Sequence, residues 1–190
     1  MASWATTQAI ERTRLGRDHA ARGDAEAALR AFLDAVSFDA TYGPAYLALG
    51  AIYEARGDAR EAERAFSMGI EHVAGFAEAL VARGRLRAHL RRAADAILDL
   101  EAAAAIAPGS AVLRELGDAY IAAGALPAAL AVARRRLAAA EAQGDPRAAT
   151  EARGEVRALA GLVGDLDPVS AGARGRGPVR RALWVASRRR

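Results

Sequence analysis

Small and large apolar residues return along this chain on a fixed period, with polar residues between them. Gly16, Gly50, Gly84 and Gly117 are spaced 34, 34 and 33 residues apart. Ala28, Ala62, Ala96 and Ala129 stand twelve residues after each glycine, and Phe32, Phe66, Leu100 and Ala133 four further on. Three after the glycines come His19, Tyr53, Arg87 and Tyr120. Seven after them, Gly23-Asp24, Gly57-Asp58 and Gly124-Ala125 mark a break, with Arg91-Arg92 at that place in the third unit. Glycine reaches the left-handed conformation that ends a helix, and an aspartate after it can accept from the free N–H groups that begin the next. Each unit therefore predicts two helices joined by a tight turn. The small residues let the helices approach closely while the large ones fill the adjacent holes. One such hairpin cannot bury its own apolar face, so neighbours must stack and share a core.

Past the fourth unit, Asp145-Pro146 offers an N-cap and a first-turn proline. Ala149, Ala152, Val156, Leu159, Ala160 and Val163 then recur at three and four, with Arg147, Glu151, Arg153, Glu155 and Arg157 between them. This predicts a capping helix over about 145–163, ended by Gly164, with a polar outer face. Upstream, Trp4 to Ile10 extends the first helix, and Trp4 is expected to pack there rather than bind a ligand. The expected architecture is all-α: a right-handed superhelix of nine helices, four hairpins plus the cap, with no β-sheet. A solenoid over 1–164, with units at about 9–42, 43–76, 77–109 and 110–143, is followed by a basic Gly/Pro/Arg-rich tail over 165–190.

Composition supports that choice. Of the hydrophobic residues 53 are alanine and 47 are larger types, a thin core for a globule but enough for stacked hairpins. Alanine loses no side-chain entropy in a helix, whereas strands draw on the branched and aromatic residues scarce here. Wholly apolar runs reach about six residues, as in Ala102 to Ala107, against about 20 for a bilayer span. The first dozen residues lack a basic start, an apolar stretch and a cleavage pattern, so a cytoplasmic protein is expected. Absence of cysteine removes disulfides and thiolate chemistry. Every basic side chain is arginine, which together with the alanine excess matches a GC-rich, bacterial coding bias.

The spacing and residue set resemble the tetratricopeptide repeat family. Its pattern, Trp-x2-Leu-Gly-x2-Tyr followed by Ala, Phe, Ala and Pro, is met best in the second unit by Tyr46, Leu49, Gly50, Tyr53, Gly57, Ala62 and Phe66, with Gly69 for the later alanine. The first unit carries Leu15, Gly16, Gly23, Ala28, Phe32 and Ala35, with His19 for the tyrosine. The third keeps Gly84, Ala96, Ala103 and Pro108 but has Arg87 and Leu100. The fourth has Leu116, Gly117, Tyr120 and Ala129 but places Arg136 where a small residue belongs. The resemblance covers about residues 9–143.

It implies that the first helix of each hairpin lines a concave groove. Carried over, the lining is Ile10, Thr13, Arg17 and Ala21, then Leu47, Ala51, Glu54 and Ala55, then Glu78, Val81, Arg85 and His89, and finally Ala111, Arg114, Asp118 and Ile121. The clamp with which some relatives hold the carboxylate tails of heat-shock chaperones needs Lys, Asn and Arg at positions that here are Thr13, Arg17, Ala48, Glu78 and Ala82, so that ligand is not expected. Alanines in the lining leave room for a partner's side chains or helix.

The tail differs from the rest. Residues 168–190 hold 7 arginines and no acid, whereas residues 1–167 hold 20 arginines and 23 acids. Such Gly/Pro/Arg sequence cannot offset the entropy of ordering and is expected to be disordered in isolation. Yet Leu183, Trp184 and Val185 lie between Arg180-Arg181 and Arg188-Arg189-Arg190, an apolar patch flanked by charge that suits a protein interface, anionic lipid or a nucleic acid backbone. Docking into the chain's own groove, or a neighbour's, is a further reading.

Catalytic chemistry has little support. His19, His72 and His89 lack ligand spacing, Gly172, Gly175 and Gly177 follow no strand, no serine sits in a nucleophile elbow, and Asp165 and Asp167 read as solvated loop residues. No metal, cofactor or enzyme activity is expected. The expected function is protein–protein interaction: a partner segment in the groove, with the tail as a second anchor. The alternatives are a tail-mediated binder of nucleic acid or an anionic surface, and a small chaperone of the bacterial secretion type.

Overall fold

The computed structural model describes residues 3–166. Among them are nine helices and no strand: α1 (Trp4–Ala21), α2 (Ala25–Phe38), α3 (Gly43–Arg56), α4 (Ala59–His72), α5 (Ala77–His89), α6 (Ala93–Ile106), α7 (Ser110–Ala122), α8 (Leu126–Ala142) and α9 (Pro146–Leu166). Each helix packs on the next, and α1, α3, α5 and α7 also touch in a row. That pattern is an α-solenoid of four stacked hairpins covered by α9. None of these helices is long and apolar enough to cross a membrane.

The recurring glycines do what their spacing predicts in the first three hairpins. A Cβ added at Gly16 would stand 2.4 Å from Phe32, and one at Gly50 would stand 2.1 Å from Phe66. At Gly84 the smaller Leu100 would be met at 3.0 Å. Ala28, Ala62, Ala96 and Ala129 are wholly buried, as close helix contact requires. Gly117 differs, because Ala133 leaves the slot open and the nearest atom is a Glu155 carboxylate oxygen of α9, at 3.4 Å.

Three turns inside hairpins are closed by glycine at positive φ, Gly23 (82°), Gly57 (80°) and Gly124 (73°), and Gly75 (66°) and Gly144 (65°) take it between units. Arg91 takes the same left-handed conformation (φ 59°) in the third hairpin, so the turn persists where its sequence signal fails. The aspartate after the glycine acts as expected once: the Asp24 carboxylate accepts from the Ala27 N–H at 3.0 Å. Asp58 makes no such bond. Its carboxylate instead lies 3.3 Å from Arg56 Nε.

Both ends of the chain's helical part carry caps. The Ser3 hydroxyl accepts from the Thr6 N–H at 3.1 Å and opens α1. Trp4 packs edge-on against Phe38, with ring centroids 5.8 Å apart. Asp145 caps α9 by accepting from the N–H groups of Arg147 and Ala148, at 3.1 and 3.0 Å. The helix does not stop at Gly164 but continues to Leu166. Glycine inside a helix costs only about 1 kcal/mol, and Val156, Leu159 and Val163 pack this helix onto Ala129, Leu130 and Ala133 of α8.

Candidate functional site

The row of first helices leaves clefts on one face. Between α1 and α3, Arg17, Ala20, Phe32, Pro44, Leu47, Ala48, Ala51, Ile52 and Ala55 line an opening of about 500 Å³. Arg17, Leu47, Ala51 and Ala55 among these are positions expected to line the groove, and Arg17 is the one charged residue in the lining. Glu54, next to Ala55, is exposed.

A second cleft of about 310 Å³ lies between α5 and α7, lined by Ala77, Glu78, Val81, Ala82, Arg85, Ala107 and Val112. Glu78, Val81 and Arg85 among these are positions that the resemblance names for the groove. Arg85 is already engaged, however: its Nη2 lies 2.9 Å from a Glu115 carboxylate oxygen on α7. His89 lines a third opening of about 460 Å³ with Ala88, Arg91, Ala93, Ala119 and Ala122. Arg114 and Asp118 are exposed on α7. Partial desolvation, and then the neighbouring Glu115, push the Asp118 carboxyl above its ordinary value, against the opposing pull of Arg114 and Arg136.

Thr13 is a correction. It is 1% exposed, and its hydroxyl has no hydrogen-bond partner. It belongs to the buried row Ala9, Thr13 and Gly16 along α1 and is not available to a partner. The tail residues Arg180, Arg181, Leu183, Trp184, Val185, Arg188, Arg189 and Arg190 lie outside the described residues.

Two polar clusters that the sequence left unassembled join neighbouring helices. In the third hairpin, Arg83 holds Asp99 through two bonds, Nη2 to Oδ1 at 2.7 Å and Nε to Oδ2 at 3.0 Å, and Arg87 Nη1 reaches Oδ2 at 2.9 Å. Asp99 is 4% exposed. Arg87 also donates to Glu63 on α4 at 2.7 Å, as does Arg92 at 2.7 Å. Burial alone would raise the Glu63 carboxyl, but those two guanidiniums outweigh it and hold it below the usual range. In register, Arg83, Arg87 and Asp99 stand where the second hairpin has Leu49, Tyr53 and Ala65. Three apolar positions have become one ionic cluster together.

The second cluster joins α8 to the cap. Arg136, 7% exposed, donates to Glu155 at 2.6 Å, to Glu151 at 3.4 Å and to the Ser110 hydroxyl at 3.4 Å. In the earlier hairpins this position is Ala35, Gly69 and Ala103. The arginine fits because Ala133 and Gly117 vacate space that Glu155 enters.

A face of first helices over a wall of second helices, with clefts between successive hairpins and small residues along them, defines a helical-repeat solenoid of the tetratricopeptide type. Solved structures of that kind superpose on the chain. The crystal structure of the MamA protein is 21% identical, with a TM-score of 0.61 over 80% of this chain and 86% of its own. MamA residues 41 to the end from Desulfovibrio magneticus RS-1 give 18% and 0.59, over 80% and 94%. The first TPR domain of human RPAP3, solved by NMR, gives 17% and 0.56, over 62% and 94%. The fold is therefore the tetratricopeptide-repeat fold. No protein-family model and no curated protein sequence matches the chain.

Proposed function

We propose that this protein is a non-enzymatic scaffold that takes a partner segment along the face formed by α1, α3, α5 and α7, with the basic tail as a second anchor. The observation that carries the reading is the pair of apolar clefts on that face, one at Leu47 and Ala51 and one at Val81 and Val112. Successive helices in such a row lie about 8–10 Å apart, so the two clefts are separated by about 16–20 Å. A helical partner rising about 1.5 Å per residue spans that distance with two apolar anchors about 11–13 residues apart. Small residues at the clefts favour such insertion, and the charges around them, Arg17, Glu54 and Glu78, orient the segment. Binders selected from a library of helical peptides against the intact chain test it. Ala51→Arg and Val81→Arg should each weaken them tenfold or more with the helical circular dichroism unchanged. Binders indifferent to both substitutions would contradict the reading.

A further inference from the structure

We propose that, without a partner, the tail segment Leu183-Trp184-Val185 occupies the α1/α3 cleft of its own chain and so competes with the partner segment for the groove. The proposal rests on the groove reading above and adds a regulator to it.

Three observations converge on this occupant. The cleft is apolar apart from Arg17 and has about 500 Å³ of space, with Ala20, Leu47 and Ala51 along it. That lining selects the apolar part of the tail and leaves the flanking arginines at its rim. Glu54, exposed and next to Ala55 of the lining, carries no ion pair among the described residues. Charge is complementary on the larger scale as well, since residues 168–190 carry 7 arginines and no acid, against 20 arginines and 23 acids in residues 1–167.

The third observation is reach. The last described residue, Leu166, ends α9 at the far end of the stack from α1. Four steps of about 10 Å along the row make that distance about 40 Å. The 18 residues from Leu166 to Trp184 extend to about 60 Å, which leaves slack. A tethered patch that can span its site acts at an effective concentration in the millimolar range. Modest intrinsic affinity is therefore enough to occupy the cleft, and a partner must displace it.

Fluorescence of the intact 190-residue chain in a Trp4→Phe background, which leaves Trp184 as its sole tryptophan, tests this. Trp184 emission should be blue-shifted and poorly quenched relative to the urea-unfolded chain, at every protein concentration. Ala51→Arg on the cleft side and Leu183→Gln on the tail side should each shift it to the red without loss of helical signal, and Leu183→Gln should raise the affinity of a groove-binding peptide severalfold. Solvent-exposed Trp184 in the parent, burial indifferent to Ala51→Arg, or burial that grows with concentration and so reports a second copy, would each overturn the proposal. If peptides still bind and Ala51→Arg still weakens them while Trp184 is exposed, the tail proposal fails and the groove reading stands.

Discussion

Gly50 and Gly117 occupy the same register position, yet their surroundings set opposite expectations. At Gly50 a methyl group would collide with the buried Phe66 ring, and overpacking of that kind costs about 1–3 kcal/mol. At Gly117 the neighbouring Glu155 oxygen at 3.4 Å leaves room for ordinary contact, so replacing glycine within a helix should gain up to about 1 kcal/mol. Gly50→Ala should lower the urea midpoint and Gly117→Ala raise it. Shifts of the same sign would show that the glycine–phenylalanine contact does not set the helix approach. The turn at Arg91 teaches a related lesson. Its left-handed φ was hidden in the sequence because the residue that most readily takes that conformation is missing; the stacked hairpins impose the turn regardless.

At the scale of elements, the third hairpin places charge at three positions where the second has apolar contact. Removing one member of a buried ionic cluster strands its partners, at a cost of about 3–5 kcal/mol, whereas replacing the whole cluster by packed apolar residues is often neutral or stabilising. Asp99→Ala should therefore destabilise severely. The triple variant Arg83→Leu, Arg87→Tyr, Asp99→Ala, which copies the second hairpin, should recover most or all of the loss in chemical denaturation. A triple variant as unstable as Asp99→Ala would contradict this. Glu63 adds a pH dependence whose sign follows from its depressed carboxyl. The folded state binds the proton less readily than the unfolded chain, so its stabilisation is complete above the unfolded value and is lost as pH falls through the folded one. Between about pH 6 and about pH 3 the wild type should lose more stability than Glu63→Gln; equal losses would remove Glu63 from the account.

Across the whole molecule, much of the architecture was legible because the repeat writes the buried alanine four times and the glycine against a large residue three times. The cap was legible from Asp145-Pro146 and the stripe Val156, Leu159 and Val163. The ionic clusters were not, since a single acid such as Asp99 inside a helix looks like a solvated charge until it is set in register with Arg83 and Arg87. Arg136 was visible as an anomaly, but its partners belong to the cap rather than to another repeat. Of the positions named from the resemblance, Leu47, Ala51 and Val81 line surface clefts, whereas Thr13 falls on the buried row of α1.

The central claim, that a partner segment lies on the face of first helices, is tested most directly by amide hydrogen exchange of the intact chain with and without a selected peptide. The account predicts added protection concentrated in α1, α3, α5 and α7, strongest around Leu47–Ala51 and Val81–Arg85. Protection confined to the second helices α2, α4, α6 and α8, with those two segments unchanged, would contradict it.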